Sequence, residues 1–210
     1  MKRLLLTIAL CCSAGFVLCS CANDSTSPNS TALRDQRVVF VGASITEAWD
    51  FAAYFPGYDF RKVICFDWDK TQVWSQVAAQ SPDIVVVKEC GAYFYTDGGT
   101  PLGEYQNCMV QMVTNARNIG AVPVLATTLP IDVDAGGCTQ AQLNDIITFN
   151  AWVRNYCTNN GLKCLDYYTQ IADAQGQLPQ NYHDGDGLHP NAAGYDALSP
   201  IVIPTLEGAI

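Results

Sequence analysis

The sequence predicts an α/β fold: a three-layer sandwich in which helices cover both faces of a central, mainly parallel five-stranded sheet. Five short runs are mainly apolar, and most of them are continuously apolar rather than alternating, which is typical of strands buried on both faces of a sheet. Segments of helical character lie between these runs, and such alternation of strands and helices is typical of parallel sheets. The sequence has no internal repeat and no second group of elements, so we expect one domain.

The elements follow one another in a simple order. The strands are predicted at residues 38–41, 63–66, 84–87, 122–126 and 162–165, the last being interrupted by Lys163. The helices are predicted at residues 71–79, 101–119, 140–156 and 191–207. Pro101 suits the first turn of the second helix and Gly120 suits its end, whereas Pro200 and Pro204 interrupt the last helix.

The N-terminal residues are expected to lie outside the domain. Lys2 and Arg3 precede an apolar run at residues 4–18, which is too short to span a bilayer comfortably. The string Leu18-Cys19-Ser20-Cys21 resembles a bacterial lipobox, which implies cleavage before Cys21 and lipidation of that cysteine. A plain secretory signal and a short membrane anchor are the alternatives.

These features divide the chain into three parts. Residues 1–20 are predicted to be a lipoprotein signal peptide, residues 21–36 a flexible tether rich in Ser, Thr, Asn and Pro, and residues 37–210 the folded domain. We therefore expect a protein of the bacterial cell envelope, lipid-anchored at the outer membrane or cell surface, or secreted if it is not lipidated.

The charge of the chain is acidic, with a formal net charge of −9. This argues against nucleic acid as a partner and against electrostatic adsorption to anionic lipid, so membrane contact is expected through the lipid anchor only. Neutral substrates such as sugars and acyl esters are compatible with it.

Six of the ten cysteines fall in the predicted domain: Cys65, Cys90, Cys108, Cys138, Cys157 and Cys164. In an exported protein an even number suggests disulfide bonds, although the sequence selects no pairing. Their spacing does not support zinc binding, and we expect neither a metal nor an organic cofactor. Cys65 extends an apolar run, so burial as a small apolar residue is the alternative there.

The residues that suggest chemistry lie at the two ends of the domain. Ser44 follows the first predicted strand, and Asp186 stands three residues before His189 in the loop after the last strand. Because the carboxyl ends of parallel strands meet at one edge of the sheet, these side chains are expected to converge there. Serine, histidine and aspartate together are the components of acyl transfer. Taken singly, Ser44 and Asp186 could be a helix cap and a turn cap, and His183 is expected in a surface loop.

Four segments of the chain resemble the SGNH hydrolases, also called GDSL-like lipases and esterases. They are Phe40-Val-Gly-Ala-Ser44-Ile-Thr-Glu-Ala-Trp, Tyr54-Phe-Pro-Gly57, Asp83-Ile-Val-Val-Val with Gly91, and Asp186-Gly-Leu-His189-Pro-Asn-Ala-Ala-Gly-Tyr. The resemblance implies a flavodoxin-like sandwich in which Ser44 is the nucleophile, His189 the general base and Asp186 the carboxylate that orients it.

The oxyanion hole departs from the family's pattern. The Ser44 N–H is expected to remain a donor, but Asp69 stands where the family has a glycine, and Tyr93 stands where it has an asparagine. Lys88 is expected to form an ion pair with Glu89, or else to stabilise the oxyanion. Nearby aromatic residues are candidates for a stacking platform, with packing in the core as the alternative: Trp49, Trp68, Tyr93, Phe94 and Tyr95.

The expected function is that of a lipid-anchored serine esterase that works through an acyl-enzyme. Carbohydrate O-acetyl groups or short-chain acyl esters are the expected substrates. Two alternatives remain open from the sequence. One is a catalytically impaired protein of this fold that binds carbohydrate or another envelope component, and the other is an O-acyltransferase.

Overall fold

The structure, a computed structural model, describes residues 32–94 and 100–210. Its centre is a sheet of five strands in the order β2-β1-β3-β4-β5, and every neighbouring pair is parallel. The strands are β1 (Arg37–Gly42), β2 (Asp59–Ile64), β3 (Ile84–Lys88), β4 (Val122–Ala126) and β5 (Lys163–Leu165). The predicted α/β class and the five-stranded parallel sheet are confirmed.

Helices connect these strands and cover both faces of the sheet. They are α1 (Ser44–Ala48), α2 (Phe51–Tyr54), α3 (Trp74–Ala79), α4 (Leu102–Asn118), α5 (Gln140–Asn160), α6 (Tyr167–Ile171), α7 (Ala192–Leu198) and α8 (Val202–Glu207). Short 3-10 turns lie at Lys70–Val73, Gly91–Tyr93, Val133–Ala135, Gln180–Tyr182 and Ser199–Ile201. Among the described residues, no helix has the length and apolar character needed to cross a membrane.

The two longest helices have well-defined ends. At the start of α5, the Thr139 hydroxyl accepts the N–H of Gln142, and the Gln142 side chain accepts the N–H of Thr139, which is a capping box. The helix then continues to Asn160, beyond the predicted end at residue 156, and stops at Gly161 with φ +64°. Pro101 is the N-cap of α4 rather than part of its first turn.

The core consists of two layers, one on each face of the sheet, because successive strand residues point to opposite faces. Val85 and Val87 of β3 pack with apolar residues of α3, α4 and α5. Ile84 and Val86 pack on the other face with residues of α6, α7 and α8. The sheet is thus buried on both sides, and its C-terminal edge is where the loops emerge.

The position of β2 differs from the prediction. The strand covers Asp59–Ile64 instead of residues 63–66, and Phe66 lies beyond its end with 60% of its surface exposed. As the edge strand, β2 carries polar residues that a search for continuous apolar runs overlooks. Asp59 forms ion pairs there with Arg37, at 3.1 Å, and with Arg61, at 2.8 Å.

Leu33 and Arg34, which were predicted to belong to the tether, contact the domain. Leu33 is fully buried in the core layer that contains Val38 and Phe40. The Arg34 guanidinium lies 4.4 Å from the centroid of the Tyr58 ring, where it makes a cation–π contact. The chain therefore packs on the domain at Leu33, before the predicted start of the domain at residue 37. The predicted signal peptide and Cys21 lie outside the described residues.

The six cysteines of the domain are free thiols in the structure, so the expected disulfide bonds are not found among the described residues. Four of them, Cys65, Cys90, Cys108 and Cys157, are buried and pack as small apolar side chains. A hydrogen bond from the neighbouring Cys164 lowers the pKa of the Cys157 thiol.

Candidate active site

Ser44 lies at the junction between β1 and α1. A Cβ on Gly42, the last residue of β1, would lie 2.1 Å from the Thr46 Oγ1, so this tight turn requires a glycine. Ser44 is the first residue of α1, and the N-cap is Ala43, with no side-chain capping bond. Ser44 is therefore not the cap of this helix. Its own N–H belongs to the first helical turn, where backbone N–H groups have no acceptor within the helix.

Asp186 and His189 lie in the loop that precedes α7. Asp186 Oδ1 accepts the backbone N–H groups of Leu188 and His189, both at 2.9 Å, and Oδ2 lies 2.6 Å from His189 Nδ1. Burial raises the pKa of the Asp186 carboxyl, but the hydrogen bonds from His189 and Leu188 outweigh it and lower the pKa to about 2. The carboxylate is thus ionised, and it is oriented by three donors.

The structure brings Ser44 together with this loop. Ser44 Oγ lies 2.9 Å from His189 Nε2, although the two residues are 145 positions apart in the chain. The short contact between His189 Nδ1 and the carboxylate of Asp186 places a proton on Nδ1, which leaves Nε2 free to accept the serine proton. Ser44, His189 and Asp186 therefore form a continuous chain of hydrogen bonds with the geometry of an activated nucleophile.

The site is open to solvent. The side chains of His189 and Asp186 are 42% and 49% exposed. A substrate can therefore approach Ser44 from the surface at the C-terminal edge of the sheet.

Asp69 has a different environment from the one predicted. Its backbone N–H donates to Asp67 Oδ1 at 2.9 Å. Its carboxylate accepts from the backbone N–H of Thr71 at 3.0 Å and from the Thr71 hydroxyl at 2.5 Å. Asp69 is thus a cap of the 3-10 turn that follows. Donation by its N–H to an oxyanion would require Asp67 to release this N–H.

Tyr93 ends the 3-10 turn Gly91–Tyr93 and is partly buried. Its carbonyl accepts the Tyr105 hydroxyl at 2.6 Å, and its ring centroid lies 5.4 Å from Lys70 Nζ. Burial, followed by the nearby Cys90, raises the pKa of Tyr93, so its hydroxyl remains protonated and able to donate. Its role as an oxyanion donor stays a prediction.

The buried charges behind these loops pair differently from the prediction. Lys70 and Glu89 are both fully buried, and Lys70 Nζ lies 3.4 Å from Glu89 Oε2. Lys88 points to the opposite face of the sheet, as the alternation of strand side chains requires, and donates to the Glu89 carbonyl at 3.1 Å. The predicted Lys88–Glu89 ion pair is wrong. The Lys70–Glu89 pair was not predicted, because it joins two segments that follow different strands.

The aromatic residues near these loops belong mainly to the core. Trp49 and Phe94 are 3% and 4% exposed and lie in opposite core layers. Trp68 and Tyr93 are partly buried against the layer that contains Phe94. Tyr95 is outside the described residues. Packing in the core, the alternative to a stacking platform, therefore holds for Trp49 and Phe94.

His183 is buried, with 4% of its surface exposed, whereas a surface loop position was predicted. Its Nε2 lies 3.0 Å from Asp132 Oδ2. Asp132, its partner, was not among the predicted residues; it follows the fourth strand at the same edge of the sheet as the other loops.

A serine, a histidine and an aspartate are joined by hydrogen bonds at the C-terminal edge of the sheet of a parallel α/β sandwich. This arrangement is typical of serine hydrolases. The model of the GDSL-like Lipase/Acylhydrolase family matches residues 40–197, well over half of the chain. The chain belongs to this family, and it is a serine ester hydrolase.

Solved structures share the fold. A GDSL-like lipase from Bacteroides thetaiotaomicron is 22% identical, with a TM-score of 0.70 over 86% of this chain and 95% of that chain. A candidate acylhydrolase from Bacteroides fragilis is 25% identical, with a TM-score of 0.68 over 82% of this chain and 88% of that chain. A catalytic mutant of an acetylxylan esterase from Geobacillus stearothermophilus is 17% identical, with a TM-score of 0.64 over 82% of this chain and 94% of that chain. No curated protein sequence matches the chain significantly.

Proposed function

We propose that the chain hydrolyses esters through an acyl-enzyme on Ser44, with His189 as general base and Asp186 as the carboxylate that orients it. The observation that carries this proposal is the continuous contact from Ser44 Oγ to His189 Nε2, at 2.9 Å, and from His189 Nδ1 to Asp186 Oδ2, at 2.6 Å. Both distances are those of hydrogen bonds through which a proton can move.

The reaction has two stages. His189 Nε2 takes the proton of Ser44 as Oγ attacks the ester carbonyl, and the protonated ring then gives that proton to the departing alcohol. Water attacks the acyl-enzyme in the second stage, with the same nitrogen as base. Asp186 holds the Nδ1–H in both stages and stabilises the imidazolium that forms between them.

We propose carbohydrate O-acetyl groups or short-chain acyl esters as substrates. An open site suits an ester that projects from a larger molecule, and an acidic protein suits a neutral one. The acetylxylan esterase from Geobacillus stearothermophilus, which has a similar fold, supports the choice of acetylated carbohydrate.

We also propose that the protein is held at the bacterial cell envelope by a lipid on Cys21. The support is the Leu18-Cys19-Ser20-Cys21 string after an apolar run. Intact-mass analysis of membrane-extracted protein should find a lipidated chain that begins at Cys21. An unmodified N-terminus at another residue would mean simple secretion.

The catalytic proposal is tested with purified variants and p-nitrophenyl acetate. Ser44→Ala and His189→Ala should each lower kcat by on the order of 10⁶. Asp186→Asn should lower it by on the order of 10⁴, because the amide no longer fixes the required ring tautomer. The exposed Ser75 on α3 provides a matched control, since Ser75→Ala should keep the activity of the unmodified protein.

A fluorophosphonate should label the unmodified protein and Ser75→Ala, but not Ser44→Ala. Esterase activity of Ser44→Ala close to that of the unmodified protein would sink the proposal. Release of acetate from acetylated xylo-oligosaccharides, compared with p-nitrophenyl esters of longer acids, then tests the substrate class.

A further inference from the structure

The ring of His183 connects the loop that carries Asp186 and His189 to the segment that follows β4. Its Nδ1 lies 3.0 Å from the backbone nitrogen of Gly185 and 3.2 Å from that of Gly187. Its Nε2 lies 3.0 Å from Asp132 Oδ2, in the segment that follows β4. The side chain of His183 is 1% exposed, so these contacts are sheltered from competing water.

The contacts of His183 fix the position of its proton. Backbone N–H groups can only donate, so Nδ1 must be the acceptor and the ring proton must lie on Nε2, from which it is donated to Asp132. His189 has the opposite tautomer, because its Nδ1 faces Asp186 and its Nε2 faces the Ser44 hydroxyl. The tautomer of His189 can accept the proton of Ser44, whereas the tautomer of His183 can accept hydrogen bonds from the loop backbone.

The loop between these two histidines contacts the Asp132 segment through its backbone as well. The carbonyl of Gly187 accepts the N–H of Asp132 at 2.8 Å. Gly187 has φ +71°, and a Cβ there would lie 2.5 Å from the carbonyl oxygen of Asp132. His183 and Pro190 form an isolated antiparallel bridge that closes the neck of the loop. The loop is therefore held against the segment after β4 by its backbone and by the ring of His183.

Asp186 lies between the two glycines whose N–H groups His183 accepts. A shift of this backbone would move the Asp186 carboxylate, and with it His189, relative to Ser44. Since Ser44 lies at the start of α1, outside this loop, its position does not follow such a shift.

We propose that His183 is a positioning residue for ester hydrolysis. As a neutral acceptor, it holds the Gly185–Gly187 backbone so that Asp186 and His189 meet Ser44. The inference rests on the proposed function, because it acts through the proposed catalytic residues. His183 itself does not contact the substrate or the reacting atoms.

Two substitutions separate the two sides of the imidazole ring. In His183→Asn, the amide oxygen replaces Nδ1 as acceptor for the loop N–H groups, while the donor to Asp132 is lost. In His183→Gln, the amide nitrogen can reach Asp132 as Nε2 does, while the acceptor for the loop is lost. Both variants remove the ring, so loss of packing is common to them.

The acceptor role predicts unequal effects of the two substitutions on catalysis. His183→Gln should lower kcat for p-nitrophenyl acetate by roughly 100-fold, the effect of a displacement of about 1 Å, with little change in KM. His183→Asn should stay within about threefold of the unmodified protein. Equal kcat losses in the two variants, or no loss in His183→Gln, would overturn the proposal. Thermal unfolding followed by circular dichroism checks that both variants are folded.

Proton NMR gives a readout that does not depend on turnover. Since the chain has two histidines, either variant leaves His189 as the remaining imidazole. The downfield signal of the His189 Nδ1 proton, shared with Asp186, should persist in His183→Asn and be lost or shifted in His183→Gln. If the signal behaves in this way while the unmodified protein hydrolyses no ester, the proposed function fails, but the inference that His183 holds Asp186 and His189 in place stands. If the signal is the same in both variants, the positioning role fails.

Discussion

At the scale of single residues, the two histidines show how the surroundings of a ring decide its use. Both pair with an aspartate, His189 through Nδ1 and His183 through Nε2. The remaining nitrogen faces a hydroxyl in the first case and backbone N–H groups in the second. A hydroxyl can give up its proton to a base, whereas a backbone N–H only donates a hydrogen bond. The first ring is therefore suited to catalysis and the second to support.

The hydroxyl of Tyr93 is predicted to replace the usual asparagine in the oxyanion hole. Tyr93→Phe should lower kcat by roughly 10- to 1,000-fold with little change in KM, because the hydrogen bond strengthens only in the transition state. Steady-state kinetics with p-nitrophenyl acetate measure this effect. Tyr156 on α5 is a control outside this turn, and Tyr156→Phe should leave kcat unchanged. Unchanged kinetics in Tyr93→Phe would exclude the donor role.

The proposed catalytic residues could be predicted because the spacing of neighbouring residues in the sequence already indicates where each of them lies in the fold. Asp186 is three residues from His189, and Ser44 directly follows a buried strand. The neighbouring residues depend on contacts that the sequence does not reveal. Asp132 and His183 are 51 positions apart, and nothing local to either indicates the pair.

At the scale of elements, the buried pair of Lys70 and Glu89 joins the loop after β2 to the end of β3. Lys70 Nζ also donates to the carbonyls of Cys65, at 3.4 Å, and Asp67. Burial raises the pKa of Glu89 to about 7, although Lys70 opposes this rise. The pair therefore fixes the loop that contains Asp69, and its charge state changes near neutral pH.

Lys70→Met is predicted to reduce the free energy of unfolding more at high pH than at low pH. At about pH 8 the Glu89 carboxylate is ionised, so loss of its partner should cost about 3–5 kcal/mol. At about pH 5.5 this carboxyl is protonated in the folded state, because its folded pKa of about 7 lies above that pH, and the cost should be smaller. Urea unfolding at both pH values measures the difference.

The exposed Lys163 serves as the control for this experiment, and Lys163→Met should have little effect at either pH. An equal loss of stability at both pH values in Lys70→Met would show that Glu89 does not change its charge in this range.

The strands differ in how well the sequence predicted them. β1, β3 and β4 are buried on both faces, so their continuous apolar runs marked them to within about one residue. β2 is at the edge of the sheet and contains Arg61 and Lys62, which hid it from the same criterion. The free cysteines show a different limit: an even count indicates disulfides only if the sulfur atoms also meet at bonding distance.

The net charge of the protein and the exposure of its proposed active site together determine how an ester approaches it. The full chain has a formal net charge of −9, and the side chains of His189 and Asp186 are 42% and 49% exposed. An approaching ester therefore experiences the field of the protein through solvent, where salt screens it.

This field is predicted to disfavour anionic esters. The kcat/KM for p-nitrophenyl hemisuccinate should be lower than that for neutral p-nitrophenyl butyrate, and the ratio should approach one as ionic strength rises from about 0.01 M to about 0.15 M. Neutral substrates should show little dependence on salt. A ratio that is independent of salt would assign the discrimination to direct contacts rather than to the field.

Ser44 and His189 are 145 positions apart in the chain, so they are synthesised at different times. During synthesis Ser44, the proposed nucleophile, emerges long before His189, its proposed base. Any fragment that stops before residue 189 contains Ser44 but lacks His189, the imidazole proposed to activate it. Under the proposed mechanism, ester hydrolysis begins only when the loop that carries His189 has docked beside β1, so the activity reports fully synthesised and folded molecules. Incomplete or proteolysed chains that lack His189 would therefore not hydrolyse esters, even if their sheet had formed.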